Sequence, residues 1–350
     1  MLQRLDRLAS CGHRLMMLLL LSFALVASLA GELSAQVVGI ERRDTTRLEG
    51  EPFAMAIFYP AKGPLSVTAI GPYDVAATRG AQPLRGPFPL VMLSHGSSGS
   101  MLSHHDLATA LAMNGFVVAA IEHSGDNYRD RSGLGKESTA YRRARQVSAA
   151  IDLLRDGGEF PVDRQRIGIV GYSAGTVTAL MLAGAEPDFG ALVAYCADRE
   201  RDTALCQGGG LLQRDQRHRD EPKDARIKAA LLLAPIGVVF STAPLPVSIP
   251  TGIVAAGADR ELPITSNVMP LAQRLSNLTL LEVIPLAGHN VFLTPCTARM
   301  LWSNPSLCKD PPMVDRQREH ALLNGLAVSF FRYALGFGHP IGPVKQLNGQ

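Results

Sequence analysis

Short apolar segments alternate with amphipathic segments along most of the chain. The apolar segments predict strands at residues 53–59, 89–94, 116–122, 166–171, 229–234, 252–257 and 278–284. The segments between them predict helices at residues 104–114, 138–155, 174–184, 266–275 and 316–335. This alternation is typical of a mostly parallel central sheet with helices on both faces. Strands that are apolar throughout, such as "ALLLA", are expected where both faces of the sheet are covered.

The predicted helix 138–155 has one apolar face. That face carries, at helical spacing, Tyr141, Ala144, Val147, Ile151 and Leu154. Arg142, Arg143 and Asp152 fall elsewhere on the helix. We therefore expect this helix to pack against the protein through one face only.

One region breaks the alternation. Residues 186–228 interleave acidic and basic side chains, contain a glycine triplet and show no sustained periodicity. We interpret them as an insertion after the helix 174–184, on the side of the sheet where the strands end. Their charges are expected to form a solvated surface rather than a binding patch. The rest is predicted to be one α/β domain over residues 37–338, with a C-terminal tail at 339–350.

The N-terminus has the layout of an export signal. A basic stretch is followed by an apolar run at residues 15–29 and then by small residues. Residues 1–30 are predicted to be a signal peptide, with cleavage after Ala30 or Ala35. The alternative is an uncleaved membrane anchor, but the apolar run is shorter than the about 20 residues that a spanning helix needs. We expect a secreted or periplasmic protein with no membrane span after cleavage.

Four cysteines remain once Cys11 leaves with the signal peptide. They are Cys196, Cys206, Cys296 and Cys308. An even number in an exported chain indicates disulfides, and four cysteines allow three connectivities. We favour the local pairs Cys196–Cys206 and Cys296–Cys308, because each closes a short loop. Neither pair has CxxC spacing, so no metal site is expected.

The charge pattern speaks against a nucleic-acid partner. The formal net charge is +3, and no run of Lys or Arg stands free of acidic residues. A nucleic-acid or anionic-membrane surface needs such a run or patch. We expect neither partner.

The segment "GIVGYSAGTV" holds the strongest chemical motif. Gly171-x-Ser173-x-Gly175 matches a nucleophile elbow, in which a strand turns sharply into a helix and exposes the central side chain. The predicted strand 166–171 precedes the motif and the predicted helix 174–184 follows it. Glycine is needed on both sides of the serine because this turn brings the two backbones close together. Ser173 is therefore predicted to be a nucleophile.

A nucleophilic serine needs a base, and the base needs a group that orients it. His289 lies on the loop directly after the last predicted strand. Other histidines lie in the leader, in the insertion, or in or after the last helix: His13, His218, His320 and His339. His289 is therefore the predicted base.

The orienting acid should lie between the serine and the histidine in chain order. Asp259 follows the buried strand 252–257 on a polar loop, at the carboxyl edge where sites assemble in such sheets. Its role would be to hold His289 in one tautomer. Glu261 and Asp198 are the alternatives.

The transition state also needs donors for the oxyanion. One is the backbone N–H of Ala174, after the nucleophile. The other is expected from the glycine-bearing segment "SHGSSG" after the strand 89–94, with Ser97 preferred over Gly96. His95 is expected to brace this loop rather than to act as a second base.

Four motifs in this order, "SHGSSG", "GYSAG", "AGADRELP" and "GHNVF", resemble the α/β-hydrolase fold. Within that fold the chain is similar to secreted bacterial hydrolases grouped with platelet-activating-factor acetylhydrolases and dienelactone hydrolases. Dienelactone hydrolases use cysteine where this chain has Ser173. The acetylhydrolases carry their acid one strand earlier, and "ALLLAPIG" has no carboxylate there. These departures favour Asp259 as the acid and argue against a phospholipid-type substrate.

The expected function is that of a serine carboxylic-ester hydrolase. It would act on a small-molecule ester through Ser173, His289 and Asp259, with an acyl-enzyme intermediate and no cofactor. An amide or peptide hydrolase on the same fold is the first alternative. A non-catalytic binding module is the second, but all four parts of the machinery have candidate residues.

Overall fold

The computed structural model describes residues 36–45, 52–197, 205–206, 213, 215, 222–240 and 245–338. The described residues belong to one compact unit. The predicted signal peptide, the tail 339–350, Asp198 and His218 lie outside the described residues. The leader and its cleavage site stay predictions.

The domain is built on a ten-stranded sheet and a separate two-stranded hairpin. The strands are β1 (Gln36–Thr45), β2 (Phe53–Lys62), β3 (Thr68–Ile70), β4 (Tyr73–Val75), β5 (Thr78–Arg79), β6 (Gln82–Pro83), β7 (Phe88–Ser94), β8 (Val117–Glu122), β9 (Val162–Tyr172), β10 (Ile227–Leu233), β11 (Thr251–Ala256) and β12 (Leu278–Ile284). The order in the large sheet is β12-β11-β10-β9-β7-β8-β2-β1-β5, and β6 pairs with β2.

Six neighbouring strands of the sheet, from β12 to β8, run parallel. At the other end, β2 is antiparallel to β8 and β1 is antiparallel to β2. The sheet is therefore mixed but mostly parallel. The carboxyl ends of β7, β9, β11 and β12 meet at one edge, so the loops that follow these strands come together.

The helices are α1 (His105–Met113), α2 (Glu137–Asp156), α3 (Ala174–Leu182), α4 (Phe189–Ala197), α5 (Met269–Arg274), α6 (Ala298–Ser303) and α7 (Arg316–Ala334). Helices α2 and α3 pack on one face of the sheet, and α1 and α7 pack on the other. Alternate residues of the central strands enter the two apolar layers: in β10, Leu232 faces the first and Leu231 the second. Both faces of the sheet are thus covered, as the all-apolar strands predicted.

The fold class predicted from the sequence is confirmed. Each of the seven predicted strands and five predicted helices has a counterpart within a few residues, although a short π-helical turn, Ile264–Val268, begins the helix predicted at 266–275. The pattern missed strand β1, whose second half is charged and only partly buried. It also missed α4, which lies inside the predicted insertion.

The expectation for α2 was wrong at one position. Tyr141, Ala144, Val147, Ile151 and Leu154 are buried as expected. Arg143 is buried as well, with an exposed fraction of 2 %. Its guanidinium is tolerated there because it forms an ion pair with the buried carboxylate of Asp126.

No helix within the described ranges combines the length and the apolar character needed to cross a membrane.

Candidate active site

Ser173 occupies a strained turn between β9 and α3. Its φ is +52°, in a region that residues other than glycine rarely adopt and that costs about 1–3 kcal/mol. Neighbouring backbone holds the turn in place: the Ser173 N–H donates to the carbonyl of Leu233 in β10 at 3.0 Å, and the Ser173 carbonyl accepts from the Thr176 N–H at 2.9 Å. The surrounding structure therefore keeps the serine side chain at the end of the strand.

The two glycines of the motif are required by close contacts. A Cβ atom on Gly171 would clash with the carbonyl oxygen of Gly175, and one on Gly175 would clash with the carbonyl oxygen of Ser94. Strand β9, helix α3 and the neighbouring strand β7 meet at this turn, and they leave no space for a methyl group. The motif is therefore a close-packed strand-to-helix turn, as the sequence predicted.

His289 and Asp259 lie in line with Ser173. The Nε2 atom of His289 is 3.0 Å from Ser173 Oγ, and its Nδ1 atom is 2.7 Å from Asp259 Oδ2. Histidine and aspartate are both buried. This is the hydrogen-bond order that a nucleophile, its base and the orienting acid require.

Backbone hydrogen bonds join the loops that carry Asp259 and His289. The Gly257 N–H donates to Ile284 at the end of β12, and the Ala258 N–H donates to the Ala287 carbonyl, both at 2.8 Å. Asp259 Oδ1 accepts from the backbone N–H groups of Glu261 at 2.9 Å and Leu262 at 2.8 Å. These bonds fix the carboxylate so that its other oxygen faces His289.

The alternative acid Glu261 lies on the other side of the imidazole. Its Oε2 atom is 3.7 Å from His289 Nε2, the nitrogen that faces the serine, and its side chain is 44 % exposed. A carboxylate there cannot orient the ring through Nδ1. The other alternative, Asp198, lies outside the described residues.

Side chains from three elements hold the short 3₁₀ turn His289–Phe292. Tyr172 donates its hydroxyl to the His289 carbonyl at 3.2 Å. His320 Nε2 donates to the Val291 carbonyl at 2.7 Å, and His104 Nδ1 donates to the Phe292 carbonyl at 2.8 Å. His289 is therefore carried on a turn whose carbonyl groups are paired with donors from β9, α7 and the segment before α1.

Burial shifts the pKa of two of these donors, Tyr172 and His104. Burial, with added repulsion from Glu261 and Asp259, raises the pKa of Tyr172 well above its usual value, so its hydroxyl remains a donor. Burial also lowers the pKa of His104 to about 4, which keeps that ring neutral near pH 7. Both groups therefore hold the turn without changing charge in the neutral range.

The loop after β7 reaches the same place. Ser97 and Ala174 line one cavity with Ser173 and His289. A Cβ atom on Gly96 would lie 3.0 Å from the ring of Tyr172, so the loop packs directly against the nucleophile turn. The Ser97 N–H has no hydrogen-bond partner among the described residues, and the Ala174 N–H is among the helix N-terminal donors that have no partner within the helix. The role of these two amides stays a prediction.

His95 is engaged within the loop network. Its Nδ1 donates to the Gly96 carbonyl at 2.6 Å, and its Nε2 accepts from the His123 N–H at 3.3 Å. Burial and the charge of Arg143 lower the pKa of His95 to about 3. The neutral ring braces the loop, and both of its nitrogens are occupied.

The cavity beside Ser173 has a volume of about 320 Å³. One wall is apolar and is formed by Val177, Phe189, Leu192, Leu205, Ile236 and Val239. Lys136 and Glu261 add charged groups to the lining. The space next to the nucleophile thus suits an apolar group of modest size.

Both predicted cysteine pairs are at bonding distance. The sulfur atoms of Cys196 and Cys206 are 2.06 Å apart, and those of Cys296 and Cys308 are 2.02 Å apart. The first pair joins Cys196 at the end of α4 to Cys206, and Leu205, the residue before Cys206, lines the cavity. Within the ranges described, no group of three or more His, Cys, Asp or Glu side chains is arranged to hold a metal ion.

Comparisons with known proteins agree on the architecture. Residues 103–198, which include Ser173 but neither Asp259 nor His289, match the model of the prolyl oligopeptidase family. The comparison with curated proteins gave no match. Among solved structures, the chain is similar to a ferulic acid esterase from Streptomyces cinnamoneus, with 17 % sequence identity and a TM-score of 0.58. The alignment covers 89 % of this chain and 93 % of the esterase.

The family match and the structural likeness both fall on the sheet and the turn described above. The mostly parallel sheet, helices on both faces and the strand-turn-helix at Ser173 are the features of one architecture. The chain has the fold of the α/β-hydrolase superfamily.

Proposed function

We propose that this protein is a serine hydrolase that cleaves carboxylic esters. The observation that carries the proposal is the continuous hydrogen-bonded line from Ser173 Oγ through His289 to Asp259, at 3.0 Å and 2.7 Å. The line ends in a serine at a strained, close-packed turn that opens into a cavity. A structural serine needs neither the buried imidazole nor the strained backbone.

The reaction follows from these positions. Ser173 Oγ attacks the ester carbonyl carbon while His289 Nε2 takes the serine proton, and the carbonyl oxygen becomes an oxyanion. The N–H groups of Ser97 and Ala174 stabilise that oxyanion. As the tetrahedral intermediate collapses, His289 gives its proton to the leaving alcohol oxygen and an acyl-serine remains. Water then attacks the acyl-serine by the same route, releasing the acid and restoring the serine. No cofactor takes part.

The lining of the cavity favours an apolar acyl or alcohol group. Phe189, Leu192 and Leu205 face the same space as Val177 of the helix that follows the nucleophile. Transfer of an apolar group from water to such a wall is favourable by about 25 cal/mol per Å². A small-molecule ester with an apolar portion is therefore the proposed substrate class.

Amide or peptide hydrolysis is the second candidate. The match of residues 103–198 to the prolyl oligopeptidase family favours it. The likeness of nearly the whole chain to a ferulic acid esterase favours an ester. We place ester hydrolysis first because that likeness covers 89 % of this chain, whereas the family match is confined to residues 103–198.

Matched substrates separate the two candidates. We expect p-nitrophenyl butyrate to be hydrolysed and the p-nitroanilide of the same acid to be hydrolysed at least about 100-fold more slowly. Ser173→Ala should remove the activity above background, and Asp259→Asn should lower kcat by about 10²–10⁴ because the imidazole loses its orienting acceptor. Faster turnover of the anilide would favour the amide hydrolase, and wild-type rates in Ser173→Ala would contradict the mechanism.

We also propose that the mature protein acts outside the cytoplasm. Two cysteine pairs at bonding distance need an oxidising compartment to persist. Sequencing the N-terminus of the protein recovered from the periplasm or medium should find Gly31 or Gln36 as the first residue. An intact N-terminus in the cytoplasmic fraction would contradict this placement.

A further inference from the structure

The loop that carries Ser97 needs an external support. It has glycines at positions 96 and 99, and Ser97 itself is exposed at its tip. An oxyanion donor contributes only when its N–H is held in the direction in which charge develops. Glycines let the backbone adopt that direction but do not hold it there. The His95 ring braces Gly96 from within the loop, so any further support for Ser97 must come from outside it.

Arg143 in α2 holds the loop on the β7 side of Ser97. Its Nη2 atom donates to the backbone carbonyl of His95, and the same nitrogen is 3.3 Å from the hydroxyl of Ser94. The side chain is 2 % exposed. A buried guanidinium that donates to a backbone carbonyl fixes the position of that peptide group.

Asp126 holds the loop on the other side of Ser97. Its Oδ1 atom accepts from the backbone N–H of Ser98 at 2.8 Å, and Ser98 has a φ of +55°. Its Oδ2 atom accepts from Arg143 Nη1 at 2.7 Å. One ion pair thus forms hydrogen bonds with the backbone at both His95 and Ser98. Gly96 and Ser97 lie between these two residues.

We propose that the Arg143–Asp126 ion pair is a positioning device that aims the Ser97 N–H at the oxyanion. This inference rests on the proposed function. The two residues act through the loop, so both are positioning residues. This pair differs from an ordinary buried ion pair because it also bonds two backbone groups, those of His95 and Ser98. These groups lie on either side of the proposed oxyanion donor, Ser97.

A second layer of hydrogen bonds supports the pair. Ser94 Oγ is 2.8 Å from His123 Nε2, and His123 Nδ1 donates to Gln146 Oε1 at 2.9 Å. Gln146 lies in α2, close to Arg143. Burial, together with the charge of Arg143, lowers the pKa of His123 well below its usual value, so this ring stays neutral. The helix therefore reaches the end of β7 directly through Arg143 and, by way of His123, through Gln146.

A direct contact of Arg143 with substrate is the competing role, because Arg143 and Asp126 both line the cavity. The two terminal nitrogens of Arg143 are already bonded to protein oxygens. Asp126 also neutralises its charge at 2.7 Å. A substrate contact would chiefly change KM, whereas a displaced oxyanion donor would chiefly change kcat.

The test compares Arg143→Gln with a matched control. The control is Arg226→Gln, because Arg226 pairs with Asp224 and Asp152 and none of the three lines the cavity. For each variant, kcat and KM are measured on p-nitrophenyl butyrate, together with the inhibition constant of a trifluoromethyl ketone. Its hemiketal adduct with the serine carries an oxyanion in the place of the transition-state charge. The folded fraction is measured by urea unfolding.

For Arg143→Gln we expect kcat to fall by about 10- to 100-fold with KM changed by less than about threefold. The inhibitor should bind more weakly by a factor close to the loss in kcat. Arg143→Lys should recover part of the rate, because an ammonium group reaches one of the two partners. The control should keep the wild-type kcat per folded molecule. If Arg143→Gln does not fold, Arg143→Lys with its partial loss of kcat carries the test.

Three results would overturn the inference. They are an unchanged kcat in Arg143→Gln, a change confined to KM, and equal loss of kcat in the control. Failure of the proposed function would differ from all three, because wild-type protein would then show no ester hydrolysis. Active wild-type protein with an unaffected Arg143→Gln variant would remove only the positioning role.

Discussion

The hydroxyl of Tyr172 donates a hydrogen bond to the backbone carbonyl of His289 across 3.2 Å. The two rings also lie against each other, with centroids 5.1 Å apart. Tyr172, the residue before Ser173 in β9, thus helps to hold the turn that carries His289. It links the positions of Ser173 and His289 in addition to their own contact.

Replacing Tyr172 with phenylalanine tests this coupling. The ring packing stays and the His289 carbonyl loses its donor, so we expect the free energy of unfolding to fall by about 1–2 kcal/mol and kcat to fall several-fold. Tyr59→Phe is the control, because Tyr59 makes the same kind of bond to the Ala81 carbonyl at 2.9 Å in the buried part of β2. Urea unfolding and kcat on p-nitrophenyl butyrate measure both effects. Equal kcat losses in the two variants would show that the Tyr172 bond has no special link to the base.

Glu261 is expected to favour esters whose leaving group carries a positive charge. The leaving oxygen must approach His289 Nε2, and the Glu261 carboxylate is 3.7 Å from that nitrogen. A cationic leaving group is therefore drawn to the site, with partial screening because Glu261 is half-exposed. Glu261→Gln should lower kcat/KM for the choline ester of butyrate about threefold to tenfold relative to its neutral isostere, the 3,3-dimethylbutyl ester. An unchanged ratio would exclude this role.

The Cys196–Cys206 disulfide is expected to shape the cavity. It ties Leu205 to the end of α4, whose Phe189 and Leu192 line the same wall. Serine at both cysteines should raise KM for p-nitrophenyl hexanoate about threefold to tenfold more than KM for the acetate, because the longer chain loses its apolar contacts.

The Cys296–Cys308 disulfide supplies the control for this experiment, since neither its cysteines nor the residues adjacent to them line the cavity. Serine at these two positions should lower the free energy of unfolding by about 2–4 kcal/mol and leave the chain-length preference unchanged. The same change of preference in both double variants would contradict a specific role for the first disulfide.

Asp106 connects the turn His289–Phe292 to the stability of the fold at acidic pH. Its Oδ2 atom accepts from His320 Nδ1 at 2.6 Å and from Asn324 at 3.0 Å, and His320 in turn donates to the Val291 carbonyl. Burial alone would raise the pKa of Asp106, but the hydrogen bond and charge of His320 lower it below its usual value. The stabilisation is therefore present above the ordinary aspartate pKa, near 4, and is lost as the pH falls below that value.

Urea unfolding of wild-type protein and Asp106→Asn across pH 3 to 7 measures this contribution. The difference in the free energy of unfolding should be largest from pH 5 to 7 and should shrink below pH 4, because Asp106 of the unfolded wild-type chain then takes up a proton while the folded carboxylate stays ionised. A constant difference over the whole range would exclude the titration of Asp106 as its source.

The strands that bring the site together could be predicted from the sequence. Parallel strands end at one edge, so loops after 166–171, 252–257 and 278–284 had to meet there once the strands were recognised. Of the residues that those loops carry, His289 does lie within hydrogen-bond distance of both Ser173 and Asp259. Local patterns were sufficient because each residue directly follows its strand.

Arg143 could not be predicted in this way. A charged residue between apolar positions of an amphipathic helix ordinarily faces water. It is buried here because Asp126, in the loop after β8, supplies a carboxylate at 2.7 Å. Only the packing of α2 against that loop creates the pair, and neither residue carries a local signal of it. Strand β1 could not be predicted for a related reason. Its second half is charged and partly exposed, so the sequence there shows no alternation of apolar and polar residues.

Labelling with a fluorophosphonate is the most direct test of the central claim, that Ser173 is an activated nucleophile. The folded protein is treated with the probe, digested and analysed by mass spectrometry, with Ser173→Ala and urea-unfolded protein as controls. We predict one probe per molecule, attached to Ser173, loss of ester hydrolysis in proportion to labelling, and no labelling of either control. Ester hydrolysis that persists with Ser173 unlabelled, or a probe attached to another residue, would contradict the account.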